Sequence, residues 1–240
     1  MAAGVGERMY PITRATPKPL LHVNGVRMID TIVDGLLANN IREIYIAVGY
    51  LKEKFVQWLS DRRAVGLDAK ITLIENPYYD NCNNISSLYV SREHLSNCVI
   101  LDGDQVLVNQ DILSPRFARS GYCCVWTEKE TNEWLLTIDK ATETILSCDR
   151  NGGNHGWQLY SVSFWTAEDG QRLQRHLELE FEQKKNRDIY WDDVAIFRYF
   201  SEYKLGIRKI KSGDILELDT IEELQTIDSR YKNYEGNKNV

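Results

Sequence analysis

The residues best suited to chemistry stand at the start of the chain, Ala2-Ala3-Gly4-Val5-Gly6-Glu7-Arg8, followed by Pro17-Lys18-Pro19-Leu20-Leu21. Glycines let a backbone pass close to a ligand, their amides can cradle phosphate oxygens, and Arg8 and Lys18 supply cationic donors for the same anion. Gly4-x-Gly6 alone would mark an ordinary turn, but joined to Arg8 and Pro17-Lys18 it suits a triphosphate. Two commoner nucleotide motifs fail. A G-x-G-x-x-G fingerprint is broken by Met9, and no Gly-Lys-Ser/Thr follows four spacers as a Walker A loop requires.

A second group is acidic. Asp102-Gly103-Asp104 follows the apolar run Val99-Ile100-Leu101, and Glu217-Leu218-Asp219 lies near the end. A hard divalent cation takes oxygen ligands, and carboxylates converging from separate segments can hold it while leaving positions for phosphate oxygens. A turn or cap explains each acid equally well, Asp219 above all, because Asp219 or Thr220 as cap with Glu222 or Glu223 reaching back matches a capping box. A third group is aromatic. A quaternary ammonium cannot donate hydrogen bonds and is held by ring faces. Trp134, Tyr190 and Trp191, with Glu133, Asp192 and Asp193, make such a set if the fold brings them together. The competing reading is that six tryptophans must pack somewhere; Trp58 and Trp165 sit in core-like patterns, and Trp157 suits either role. Asn76 and Asn83-Asn84 either read a ligand or shape loops and cap the helix beginning at Ile85.

These groups need a scaffold. Residues 28–37 are spaced as a helix, 44–48 as a strand and 52–59 as an amphipathic helix, a βαβ pattern. Strands are expected at 71–74 and 98–101 with a helix at 85–94 between them, continuing a parallel sheet whose strand ends collect ligands. The runs 122–126, 134–138, 144–148 and 159–165, broken by turn residues such as Asn151-Gly152-Gly153-Asn154, read as antiparallel additions. Helices at 168–185 and 193–201, a strand at 205–210 and a closing helix at 220–227 follow. The expected class is α/β: a Rossmann-like mixed, mostly parallel sheet flanked by helices.

Composition bounds the answer. The 240 residues are 43% apolar and 27% charged, the balance of a folded globular chain. A formal charge of -6 speaks against a nucleic-acid partner, which needs a cationic footprint. No apolar run reaches the roughly 18 residues of a membrane span, so no membrane partner and a cytoplasmic location are expected. Cys82, Cys98, Cys123, Cys124 and Cys148 form no C-x-x-C pair and read as idle or buried thiols. His22, His94, His155 and His176 lack acid partners at a suggestive spacing.

The opening segment resembles the A-A-G-x-G-x-R…P-K-P-L signature of the nucleotidyltransferase superfamily, which makes NDP-sugars and CDP-alcohols on a GT-A-like fold. The likeness runs along nearly the whole chain, through Gly25, Asp102-Gly103-Asp104 and Glu217-Leu218-Asp219. It is most similar to bacterial CTP:phosphocholine cytidylyltransferases, through Asn83-Asn84-Ile85, Asn132-Glu133-Trp134, Tyr190-Trp191-Asp192 and the terminal E-x-D.

The resemblance implies Mg²⁺ as cofactor, on Asp104 and Asp219 with Glu217 as a further candidate. Lys18, Arg8 and Asp104 become catalytic. Ala2, Ala3, Gly4, Gly6, Arg8, Lys18, Asn76, Asn84 and Asp102 become nucleotide-binding, and Glu133, Trp134, Tyr190, Trp191 and Asp192 acceptor-binding. The partners are CTP or another NTP and a small phosphorylated acceptor, phosphocholine first. A sugar-1-phosphate, phosphoethanolamine or aminophosphonate enzyme and a non-catalytic nucleotide sensor are the alternatives. The family's apolar first strand precedes its A-A-G motif, so residues 1–232 read as one domain lacking that strand. Relatives fused to a choline-kinase-like domain make 233–240 a polar tail or cut linker.

Overall fold

The computed structural model describes residues 1–234, which leaves 235–240 of the expected tail outside the described residues. In chain order the elements are β1 (His22–Val23), β2 (Val26–Arg27), α1 (Met28–Ala38), β3 (Glu43–Val48), α2 (Lys52–Ala64), β4 (Lys70–Glu75), α3 (Ile85–Val90), β5 (Cys98–Ile100), β6 (Gln105–Leu107), β7 (Gly121–Thr127), β8 (Leu135–Ile138), β9 (Ile145–Asp149), β10 (Gly156–Trp165), α4 (Ala167–Glu178), β11 (Gly206–Lys209), β12 (Ile215–Glu217) and α5 (Ile221–Ile227). The chain divides into two compact units. The first comprises Met1–Cys82, Asp102–Leu113 and the segment from Gly213; the second comprises Asn83–Leu101 and Ser114–Ser212.

In the first unit, α1 buries Met28, Ile29, Ile32, Val33 and Leu36, the helical spacing of a one-sided apolar stripe. β3 and β4 pair in parallel from Glu43↔Lys70 to Val48↔Glu75, with α2 between them in sequence. Phe55, Trp58 and Leu59 are the buried residues of α2, and the Trp58 indole N–H donates to Asp30 at 2.8 Å. One apolar cluster joins distant stretches of sequence: Met9, Leu21, Val23 and Met28 pack with Val106, Leu218, Ile221 and Leu224. β12 runs antiparallel to β6 with Glu217 opposite Gln105, a register that carries Asp219 toward Asp104. Met1–Ala3 is attached to β3 by a short stretch of backbone pairing: the Ala2 amide donates to Ala47 O at 2.8 Å, and Ala3 O accepts from Tyr50.

The second unit is built on a six-stranded sheet of order β11-β7-β10-β8-β9, with β5 also paired to β10. Only β11 on β7 is parallel there; β10 runs antiparallel to β5, β7 and β8. The mixed α/β class is the one expected, but β5 does not extend a parallel run. Its Cys98, Val99 and Ile100 lie opposite Trp165, Phe164 and Ser163 of β10. The core is aromatic, with Tyr122, Phe164, Trp165, Phe181 and Trp191 almost fully buried. The helix expected at 168–185 starts at a Thr166 cap and changes at Leu179–Gln183 into a π-helical turn. There the buried Glu180 accepts from Lys184, Asn186 and Tyr199, a set of partners that the 3.6-residue repeat does not foretell. The helix expected at 193–201 is likewise π-helical over Val194–Arg198. β1, β2, β6 and β12 have two or three residues each, too short to show a period.

α5 opens on the expected capping box. Thr220 accepts from the Glu223 amide, and the Glu223 carboxylate accepts from the amides of Thr220 and Asp219 at 3.0 and 2.6 Å. The cap therefore also fixes the backbone that carries Asp219. Thr220→Ala should lower stability by about 1 kcal/mol, read as a shift in the urea midpoint.

Candidate active site

Lys18 opens a short 3₁₀ turn after Pro17 and is buried with its neighbours Pro19 and Leu20. Its side chain is only 7% exposed, and its ammonium lies 2.8 Å from Asp104 Oδ2 and 2.7 Å from Asp219 Oδ1. Burial works against the Lys18 charge, but the two carboxylates outweigh it and hold the amine above its usual range. Burial likewise pushes Asp219 up, and Lys18 with Arg8 more than reverses this, leaving its carboxyl below the usual range. Arg8, 60% exposed, reaches the other Asp219 oxygen at 3.2 Å. Residues 86 and 201 positions from Lys18 in sequence thus meet it at one point.

The glycine loop adds unspent donors. Among the described residues the amides of Gly4, Val5 and Gly6 make no hydrogen bond, whereas that of Ala2 is spent on Ala47. Gly6 has φ +70°, and its carbonyl accepts from Thr13 Oγ1 at 2.8 Å. A left-handed conformation beside a tight contact explains the glycine. Ala3 is buried behind this loop, and Gly103, between Asp102 and Asp104, donates its amide to Met1 O at 2.6 Å. Asn76, at the end of β4, is buried and accepts from the Tyr78 amide, which is the loop-shaping role.

Carboxylate oxygens are the donors a hard cation such as Mg²⁺ takes, and two carboxylates suffice when phosphate oxygens and water complete the shell. Asp104 and Asp219 fit that pattern, since both already close on a single cationic group. Glu217 does not join them. Its carboxylate accepts from Gln105 Nε2 at 2.8 Å, and among the described residues no three His, Cys, Asp or Glu side chains are grouped to hold a metal ion. The bond to Gln105 ties Glu217 to β6, the strand opposite it.

In the second unit the expected aromatic set is partly assembled. The rings of Trp134 and Tyr190 meet edge to face at 5.9 Å, and Phe197 packs on Trp134 at 5.4 Å. Tyr190 is 48% exposed and Glu133 is exposed. Trp191 is not part of this surface. It is fully buried between Tyr122 and Trp165, each at 6.1 Å, and offers no face to a ligand. Asp192 is buried against Tyr122, whose phenol is raised by burial first and by Asp192 second. Asn84 is spent as well, its oxygen accepting the Trp191 amide at 2.9 Å.

Sequence reasoning missed Phe197 and Arg150. The Arg150 guanidinium stands 4.1 Å from the centre of the Phe197 ring and 5.2 Å from that of Trp134, and it is paired with the buried Asp193. A cation of the chain itself therefore covers the ring faces. Neither residue carries a sequence signal: Phe197 reads as one more apolar helical position, and Arg150 as the charged residue before a turn. That turn positions Trp134. Thr131 and Gly153 exchange backbone hydrogen bonds at 2.8 and 2.9 Å, and Gly152 has φ +74° with Thr131 O 1.9 Å from where a Cβ would stand.

A buried lysine held by two acids beside bare loop amides offers the kind of donors that a polyphosphate takes. The nucleotidyl transferase family profile matches residues 1–114. The chain is 33% identical over 233 residues to the 2-aminoethylphosphonate cytidylyltransferase of Lancefieldella rimae, covering 96% of this chain and 91% of that one. It is 30% identical over 235 residues to the choline-phosphate cytidylyltransferase of Streptococcus pneumoniae, covering 97% of each. The solved CTP:phosphocholine cytidylyltransferase from Streptococcus pneumoniae superposes with a TM-score of 0.85 at 28% identity, over 96% of both chains. The chain belongs to the nucleotidyltransferase family.

Gly152→Ala should cost about 2 kcal/mol through the left-handed backbone and the clash with Thr131. It should also disturb the Trp134 environment, seen as a change in tryptophan emission before unfolding begins.

Proposed function

We propose that the chain is a cytidylyltransferase that moves CMP from CTP to phosphocholine, giving CDP-choline and pyrophosphate. The observation that carries this reading is the convergence of Lys18, Arg8, Asp104 and Asp219 beside a loop whose amides make no hydrogen bond among the described residues. The aromatic group of Trp134, Tyr190 and Phe197 supports an acceptor with a cationic head, because those faces already hold the guanidinium of Arg150.

The acceptor phosphate is ionised near neutral pH and needs no general base. One of its oxygens attacks the α-phosphorus of CTP, the bond to the bridging oxygen of the β-phosphate breaks, and pyrophosphate leaves with that electron pair. Lys18 and Arg8 bind the triphosphate and offset the charge that develops on it. Gly4, Val5 and Gly6 lend backbone donors to the same anion. Asp104 and Asp219 are the residues that would hold Mg²⁺, which when bound supplies further charge neutralisation at phosphate oxygens.

Transfer to 2-aminoethylphosphonate is the second reading. The Lancefieldella rimae relative favours it, and so does Arg150, which covers part of the surface that a trimethylammonium group would need.

Pyrophosphate release with CTP and a panel of phosphocholine, phosphoethanolamine and 2-aminoethylphosphonate separates these. The highest kcat/KM is expected with phosphocholine, and a preference of tenfold or more for the phosphonate would replace the first reading by the second. Lys18→Ala should lower kcat about 100-fold or more with the circular dichroism spectrum kept; a normal rate would remove Lys18 from the chemistry. Trp134→Ala should raise KM for the acceptor and leave that for CTP nearly unchanged.

A further inference from the structure

The second unit contains a cavity of about 330 Å³ that none of the proposed transfer chemistry uses. Its wall is made by the segment before β7, the turn between β8 and β9, β11, and Phe164 of β10. Four cationic side chains line it, Arg116, Arg119, Arg208 and Lys209, against the single carboxylate of Glu143. In a chain whose formal charge is -6, such an excess of positive charge in one concavity is not a by-product of composition.

Two of the arginines are structural as well as charged. Arg208 donates to the carbonyl oxygens of Ser114 and Arg116 at 2.7 and 2.8 Å, with its guanidinium 3.7 Å from the centre of the Phe164 ring. Burial pulls its pKa down. Arg119 spends one amino group on Thr142 O and Thr144 Oγ1 at 2.9 and 2.7 Å and meets no carboxylate among the described residues. Lys209 pairs with Glu143. Arg116 is exposed, and its guanidinium makes no hydrogen bond or ion pair among the described residues. Arg208 thus anchors the backbone of the residue whose own charge is left unspent. Phe117, 5.2 Å from Phe164, adds an apolar ring to the same wall.

We propose that this cavity is a second ligand site, separate from the Lys18 site, which takes a small phosphate-bearing anion up to the size of a nucleoside monophosphate. Guanidinium groups fixed by the backbone are suited to phosphate oxygens, and their mutual repulsion is relieved when the anion enters. Phe117, half-buried on the same wall, would receive the non-phosphate part of an ester. The volume is within the range of small-molecule pockets.

Isothermal titration of the full chain with inorganic phosphate, pyrophosphate and CMP, each alone in low-salt buffer, tests this. Wild type is compared with Arg116→Glu, Arg116→Gln and Lys18→Ala. Since the Arg116 side chain holds no part of the fold, both of its variants should keep the wild-type circular dichroism spectrum. At least one of the three anions should bind Lys18→Ala. Its affinity should fall tenfold or more with Arg116→Glu and by an intermediate factor with Arg116→Gln. Unchanged affinity for all three anions in both Arg116 variants would overturn the proposal, and so would the absence of any binding to Lys18→Ala. Whichever of the three binds identifies whether free phosphate, pyrophosphate or the ester is the preferred form.

Discussion

The ammonium of Lys18 between the carboxylates of Asp104 and Asp219 is the interaction on which the rest of the first unit depends. Three charged groups from remote parts of the chain cannot be held together by their own attraction, since desolvation consumes much of it. The apolar cluster supplies the difference. Leu21 and Met28 follow Lys18, Val106 follows Asp104, and Leu218 and Ile221 flank Asp219, so packing these residues sets the charges in place.

The same arrangement explains how a site for an anion can be built around acids. Lys18 and Arg8 neutralise Asp104 and Asp219, and among the described residues the amides of Gly4, Val5 and Gly6 make no hydrogen bond. On the proposed reading, Asp104 and Asp219 would hold the metal and Lys18 and Arg8 the phosphates. Charges are exchanged between partners already in place, which is the economy of a preorganised site.

Much of this was legible in the sequence where the signal is local. The helical stripe of α1, the paired β3 and β4, and the capping box at Thr220 are read from spacing alone. The loop and Lys18 were legible because an unusual combination of residue types stands in a short span. What was not legible depends on pairing over long separations. β5 reads as any buried strand, and nothing in Cys98–Ile100 says that its partner is the end of β10. Trp191 reads as a partner of Trp134 and Tyr190 in an aromatic set, yet Tyr122 and Trp165 enclose it. Glu217 resembles a ligand beside Asp219, but its bond to Gln105 ties it to β6. Arg150 and Phe197 were invisible because a cation on a ring leaves no periodic trace.

If Lys18, Asp104 and Asp219 form one site for a metal-bound triphosphate, the Mg²⁺ dependence of CTP binding reports on it most directly. Titrating CTP with and without Mg²⁺ against wild type and Asp219→Asn should give an affinity that rises with Mg²⁺ in the wild type and loses that dependence in the variant. An Asp219→Asn chain that binds CTP with the full wild-type response to Mg²⁺ would contradict it.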